Sequence, residues 1–463
     1  MAKTAKGVAT PSRRRAFRVL AALSPLLLLL FLELGLRLAG YGYPTSFFLK
    51  TVRDGEPVLV DNPKFGWRFF PRAIARTAQP LCLPTQKPPG SLRIFLFGES
   101  AAMGDPEPSY GVARQLERIL RIRHPGKSIE VINVGMTAIN SHVIREIARD
   151  CAPLAGDCWI IYAGNNEVVG PFGAGTVFGS QAASLTTARA NLALKRTRTG
   201  QLLGRLFNRT REPAQWEGME LFLHQQVRPD DPRLKVVYEN FAANLSAVIE
   251  CGQKAGAKVL LSTVAVNLRD CPPFASAHQA GLSPSQLTEW EAAFARGRTA
   301  EQAQHPGEAL EAYQHAARLD SAFAELMFSR AFCELAQGQA PVAKTNFLLA
   351  RDLDTLRFRT DSQENEIIRQ VASRSGVDLI DAERAFERCS SNGIPGEELF
   401  LDHVHLNFSG NYQLAMLFVP LVERELFGHA DEGTKVTETE VARQLAFTDF
   451  DRKRVDEEMR LRL

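Results

Sequence analysis

The chain is expected to fold as a three-layer α/β domain built on an open parallel sheet, with an all-α insert and an apolar N-terminal helix. Three observations predict this. Short apolar runs alternate with stretches of helical periodicity from Ile94 to Glu425, as in a sheet whose strands are joined by crossover helices. Between the fourth and fifth runs, Ala309, Tyr313, Ala316, Leu319 and Asp320 reappear as Ala343, Phe347, Ala350, Leu353 and Asp354, each at an offset of 34. From Val19 to Leu36, 18 residues are interrupted only by Ser24, Pro25, Glu33 and Gly35, about 27 Å of helix and close to a bilayer core.

Composition sets the frame. Of 463 residues, 45% are hydrophobic and 23% charged, the balance of a globular protein. The formal charge of +3 includes Lys3, Lys6, Arg13, Arg14, Arg15 and Arg18; without these six, 49 basic residues face 52 acidic ones, a balance of −3. Such a body gives no electrostatic reason to bind nucleic acid. The basic cluster before the apolar run predicts a cytoplasmic tail over residues 1–18 and a membrane anchor over 19–39. Everything after Gly40 would then lie outside a single-pass inner (plasma) membrane. Gly35-Leu36-Arg37 and Arg37-Leu38-Ala39 are poor small-x-small sites, which favours an uncleaved anchor over a signal peptide. The seven cysteines include no CxxC pair and are odd in number, which excludes the usual zinc frameworks. Buried single cysteines and a Cys151–Cys158 bridge both remain open.

Taken in order, residues 40–89 read as a proline-rich linker packing on the domain edge. The first domain part, 90–282, opens with a strand at Ile94–Phe97 and a helix on Val112, Leu116, Ile119 and Leu120. A strand at Ile129–Val134, a helix at Val143–Ala152 and a strand at Trp159–Ala163 follow. Residues 172–232 read as irregular, a lid or elaboration. A helix at Lys235–Lys254 precedes a strand at Ala257–Val266. The insert, 283–356, comprises helices near Leu287–Thr299, Pro306–Leu319, Ala322–Gln337 and Pro341–Leu353; its 34-residue period is that of the tetratricopeptide repeat. The second domain part, 357–428, supplies a helix at Gln363–Ser373, a strand at Val377–Ile380 and a closing helix at Asn411–Glu425. A charged helical tail, 429–463, ends the chain.

Candidate chemistry gathers where runs break off. Gly98-Glu99-Ser100 ends the first strand ahead of small residues, an arrangement that points a hydroxyl into the crevice where open α/β sheets bind ligands. The same turn also reads as an ordinary helix cap. Asp402 and His405 lie three apart in a late loop, a spacing that lets the acid orient the imidazole toward a serine. Asn166, after the third strand, can offer a side-chain amide to an oxyanion. His403 is the ambiguous neighbour, and spacing favours His405. The other histidines cluster with no carboxylate or cysteine that suggests a metal, and the chemistry needs no cofactor.

The order and spacing of these blocks resemble the SGNH, or GDSL-type, hydrolases. Gly98-Glu99-Ser100 is similar to the first block, with Glu where Asp is usual, and Gly164-Asn165-Asn166-Glu167 to the third. Asp402-x-x-His405 is similar to the last. In the second, Asn133-Val134-Gly135-Met136-Thr137-Ala138, the glycine whose N–H serves the oxyanion aligns with Ala138, and Gly135 is the fallback. The resemblance implies a flavodoxin-like fold, Ser100, His405 and Asp402 as nucleophile, base and orienting acid, and oxyanion donors at Ser100, Ala138 and Asn166. It implies an extracytoplasmic serine esterase, with O-acetyl groups of an envelope or exported polysaccharide as a natural substrate and the bilayer as a partner through residues 19–39. Two further readings stay open: an O-acyltransferase using the same residues, and an assembly or scaffold protein whose repeat helices bind a protein partner while the hydrolase site is vestigial.

Overall fold

The structure, a computed structural model, describes residues 11–207, 218–431 and 433–462, with side chains of the first helix from Leu23 onward. The basic cluster Lys3–Arg18 and residues 208–217 of the expected elaboration lie outside the described side chains.

Five parallel strands form the central sheet: β4 (Ser91–Gly98), β5 (Ser128–Asn133), β6 (Cys158–Tyr162), β7 (Lys258–Ser262) and β8 (Asp378–Ile380), in spatial order β5-β4-β6-β7-β8. Counted within the sheet this is 2-1-3-4-5, the flavodoxin-like order, whose switch point lies where β4 is flanked by β5 and β6. Both faces are covered. Helices α3 (Val112–Arg123) and α14 (Phe408–Phe427) pack together on one side, and α4 (Ser141–Cys151), α7 (Arg233–Lys254) and α12 (Ser362–Ser375) on the other. Strands buried on both faces should read as unbroken apolar runs rather than alternating ones, and Ile94, Phe95, Leu96 and Phe97 are all 0–1% exposed. Trp159 anchors the middle of the sheet at 4.7 Å from Phe97. Its bulk is accommodated by Gly156 and Gly252, where an added Cβ would lie 2.7 Å from the indole.

The insert is two helical hairpins, α8 (Pro284–Gln302) with α9 (Pro306–Leu319) and α10 (Ala324–Ala336) with α11 (Ala340–Leu353). The matched residues Ala309, Tyr313 and Ala316, and Ala343, Phe347 and Ala350, are all 0–1% exposed. Small alanines let the helices approach and the aromatics fill the space between them.

Several segments differ from expectation. Residues 40–89 carry a three-stranded antiparallel sheet, β1 (Phe48–Arg53), β2 (Glu56–Asp61) and β3 (Cys82–Pro84), stapled to the domain by Arg68. Its guanidinium lies 2.6 Å from Glu146 of α4, with the two side chains 1% and 3% exposed. Phe65 and Phe69 flank the cation at 5.6 and 5.1 Å. The elaboration holds two helices, α5 (Leu185–Lys195) and α6 (Arg198–Phe207). The strand expected over Ala257–Val266 stops at Ser262, because Val264 leaves the sheet and gives its N–H to Asn365 Oδ1. Short helices α2 (Ser100–Met103) and α13 (Ala382–Cys389) complete the domain, and the tail forms α15 (Glu438–Gln444) and α16 (Asp449–Arg462). The Cys151–Cys158 bridge is not formed; every described cysteine is free.

The N-terminal helix α1 spans Pro11–Leu38, yet among the described residues no helix is long and apolar enough to cross a membrane. The span expected over residues 19–39 coincides with α1 and is not found as a crossing helix among the described residues. Glu33 of α1 accepts the backbone N–H groups of Arg198 and Thr199 at 3.0 and 2.8 Å, which caps α6.

Glu146→Ala leaves the Arg68 cation buried without its main counter-charge. The expected cost is about 3–5 kcal/mol, measurable as a lower urea midpoint at unchanged slope.

Candidate active site

The site begins at the C-terminal end of β4. Gly98 passes so close to β6 that an added Cβ would lie 2.1 Å from the Tyr162 carbonyl oxygen, so the strand must end on glycine to keep register with its neighbour. Glu99 then turns inward, 1% exposed, and accepts N–H groups from Gly164, Asn165 and Asn166 at 3.3, 2.7 and 3.3 Å. Ser100 follows as the first residue of α2, 8% exposed. The Glu99 side chain thus spans from the β4 end to the loop after β6.

Burial is the main influence on Glu99, and together with the nearby Glu167 carboxylate it outweighs the three amides, raising the carboxyl to about 8. Glu167 is also buried and raised to about 7, although Ser141 donates to it through both N–H and hydroxyl at 2.7 and 2.8 Å.

Within the loop after β6 the two asparagines part company. Asn165 is 3% exposed, and its Oδ1 accepts the Thr360 N–H and hydroxyl at 3.1 and 2.8 Å. Asn166 is only half-buried, which leaves its side chain the one able to meet a ligand. In the loop after β5, the Gly135 N–H is donated to Asn133 Oδ1 at 2.9 Å, while the Asn133 amide grips the carbonyls of Ala102 and Met103 behind the Ser100 turn. Gly135 therefore serves the loop itself, and Ala138 remains the donor to consider there. Ala138 has φ +57°, the left-handed conformation that suits glycine and costs an L-residue roughly 1–2 kcal/mol.

Asp402 and His405 do not follow a sheet strand directly. They sit on a loop closed by the Phe400–Leu406 bridge and tied to the loop after β7 by Asn267, which donates its amide to the Asp402 carbonyl and its N–H to the His403 carbonyl, both at 3.0 Å. Asp402 Oδ1 accepts the Val404 and His405 N–H groups at 2.9 and 2.8 Å, and Oδ2 lies 2.6 Å from His405 Nδ1. Burial works against the Asp402 charge, but the His403 and His405 imidazoles hold its carboxyl well below the usual carboxylate range. Burial likewise lowers His405, and the charge and hydrogen bond of Asp402, followed by Asp105, override it and raise the imidazole above its ordinary value. His403 lies 3.3 Å from the same Asp402 oxygen but turns its ring against Phe274. Asp402, His403 and His405 are the one group among the described residues whose ligand atoms would suit a cation, all within 4.8 Å. His405 Nδ1 is committed to the Asp402 carboxylate, while His403 Nδ1 makes no hydrogen bond among the described residues.

The motif reading missed three residues. Asp105 Oδ2 lies 3.6 Å from His405 Nε2, and because the Asp105 N–H donates to the Ser100 carbonyl at 3.1 Å, this carboxylate belongs to the Ser100 turn. Arg76 donates to the Thr137 hydroxyl at 2.7 Å, and Arg462 of α16 meets Asp105 at 2.9 Å. Only Asp105 was within reach of sequence reasoning, as an acid five residues beyond Ser100.

No family model matches the chain, and no curated protein does. Solved structures overlap it in part. An acetylxylan esterase from Geobacillus stearothermophilus, in a catalytic mutant form, is 13% identical over 73% of this chain and 94% of its own, with a TM-score of 0.34. A lipase/acylhydrolase from Enterococcus faecalis is 13% identical over 72% and 95%, at 0.31. An extracellular lipase from Streptomyces rimosus is 10% identical over 71% and 98%, at 0.30. At such identities and scores the likeness carries no functional weight.

Two outcomes follow from this geometry. A β-branched residue tolerates positive φ poorly, so Ala138→Val should destabilise by about 1–3 kcal/mol while Ala138→Gly is accommodated, as compared by chemical unfolding. Glu99 binds its proton more tightly folded than unfolded, so its contribution favours folding least once pH exceeds its folded value of about 8 and declines through the window above about 4.5. Glu99→Gln should flatten the fall in thermal midpoint between about pH 5 and pH 8.

Proposed function

We propose that the chain is a serine esterase in which Ser100, His405 and Asp402 act as nucleophile, general base and orienting acid. The observation that carries it is the Asp402–His405 pair: Nδ1 is held at 2.6 Å by the acid, while Nε2 makes no hydrogen bond among the described residues and faces the turn that bears Ser100. A largely enclosed imidazole with one nitrogen committed and the other open toward a serine turn is arranged to accept a proton.

In this reading Ser100 Oγ attacks the ester carbonyl carbon and its proton passes to His405 Nε2. The resulting oxyanion is met by the Ser100 and Ala138 N–H groups and the Asn166 amide. Collapse breaks the bond to the alcohol, which leaves with the proton from His405. Water then attacks the acyl-Ser100 carbonyl, giving its proton to His405, and the acid departs as Ser100 recovers it. Replacing water by a sugar hydroxyl would turn the same cycle into acyl transfer. Carbohydrate O-acetyl esters are the proposed substrate class, and the hairpins α8–α11 are proposed as tetratricopeptide-like units open to a protein partner. A membrane-held, extracytoplasmic location is proposed on the exposed apolar surface of α1, where Leu26–Phe31 are 42–69% exposed.

Fluorophosphonate labelling and an ester panel test this. Ser100→Ala should abolish labelling and lower turnover about 10⁴-fold or more, and Asn166→Ala about 10²–10³-fold; labelling that persists in Ser100→Ala would overturn the assignment. Because the base works only when neutral, raising its pKa moves the acid limb upward. The kcat/KM profile should rise through a value above 6.5 and hold at higher pH.

A further inference from the structure

His405 Nε2, the nitrogen that must face the nucleophile, has a second acid within reach. Asp105 Oδ2 stands 3.6 Å away, just beyond hydrogen-bond length. The same oxygen is held at 2.9 Å by Arg462 Nη1, contributed by a helix 357 positions later in the chain. Were this carboxylate to move closer by a few tenths of an ångström, it would accept a hydrogen bond from protonated Nε2. The imidazole would then be held as an imidazolium between two acids and lost as a base.

The helix that brings Arg462 is well seated. Phe447, just before α16, stacks on Phe408 at 4.2 Å and 7° and meets Tyr110 edge-on at 4.8 Å. Arg454 pairs with Glu107 at 2.8 Å, and Met459 is 4% exposed. Phe408 lies three residues past His405, and Glu107 and Tyr110 follow Asp105, so the helix spans both loops of the site. Arg462 is itself steadied by Glu458 at 2.5 Å. The charged groups facing His405 from every side are Asp402 and His403 on its own loop, Asp105 on the nucleophile turn, and Arg462 on α16. Arg76, bonded to Thr137, adds a second cation beside Asp105.

We propose that Arg462 is a positioning residue for the esterase site: by holding Asp105 Oδ2 it keeps that carboxylate off His405 Nε2 and leaves the nitrogen available to Ser100. This rests on the esterase reading for its catalytic meaning, but the underlying geometry can be measured without activity. Asp105 is the lever, Arg462 the counterweight, and α16 the strap that delivers it. The charge row Glu458–Arg462–Asp105–His405–Asp402 alternates in sign when the imidazole is protonated, and loss of the Arg462 guanidinium removes the cation bonded to Asp105 and leaves Arg76 as the remaining one nearby.

The test compares the full chain in detergent with Arg462→Gln, Arg462→Lys, Asp105→Asn and the double variant Asp105→Asn/Arg462→Gln. Two readouts are used: the pH profile of ester hydrolysis, and the ¹³Cε1 NMR titration of His405, assigned by its loss in His405→Asn. Arg462→Gln should raise the His405 midpoint and the acid limb by on the order of half a pH unit and lower kcat/KM several-fold near neutrality. Arg462→Lys should stay near the native values. The double variant should return the midpoint to the native value or below, because the acid that captures Nε2 is gone. An unchanged His405 midpoint in Arg462→Gln would overturn the proposal. So would a shift that Asp105→Asn fails to reverse, since that marks undocking of α16 rather than release of Asp105. If the native chain hydrolyses no ester while the NMR titrations behave as stated, the esterase reading fails and the electrostatic coupling stands.

Discussion

Glu99 joins two strand ends that the fold brings side by side. Its carboxyl takes three consecutive amides from the loop after β6 while its own backbone leads directly into Ser100. The Ser100 turn and the Asn166 loop are therefore tied together, and the close pass at Gly98 sets their spacing. A hydrogen-bonded acid in the dry interior is expensive to ionise, and the neighbouring Glu167 adds to the cost. The protein holds this strain beneath the site, where it rigidifies the loops that would surround an oxyanion. Ala138 at φ +57° is a second such investment, on the opposite side of the same crevice.

The loop that carries Asp402 and His405 is organised differently. Asp402 and His405 are fixed less by a strand than by mutual bonds and by Asn267, which couples their loop to β7. Such a loop would tilt easily without its carboxylate, since Oδ1 of Asp402 closes the turn and Oδ2 orients the imidazole. One acid thus performs two tasks that must agree in geometry. Electrostatics on the other face of the ring, with Asp105 and Arg462 in opposition, extends the site to the last described helix. A tail that reads as mere charge is in this way tied to the centre of the molecule.

The accessory elements attach by separate means. The small sheet of residues 48–84 is held through the buried Arg68–Glu146 pair, and α6 through Glu33 of α1. The paired hairpins α8–α11 have their own apolar cluster around Trp290, Phe294 and Tyr313, while Phe347 and Ala343 join the main core. Two repeat units bury too little surface to stand alone, and the shared core supplies the remainder.

By itself the sequence determined the alternation of strands and helices, the 34-residue period and the residues at which the runs break off, because periodicity and turn chemistry are local and operate within a few residues. Ile94–Phe97, Pro306–Leu319 and the Asp402/His405 spacing were legible for this reason. The tertiary structure alone decided the strand order that sets Ser100 beside Asn166, the spending of Gly135 on its own loop, and the small sheet within a stretch that reads as linker. It also brought Arg76 and Arg462 to Asp105. Contacts between residues hundreds of positions apart leave no periodic trace in either neighbourhood, and a charge on an amphipathic helix looks the same whether it faces water or a buried acid.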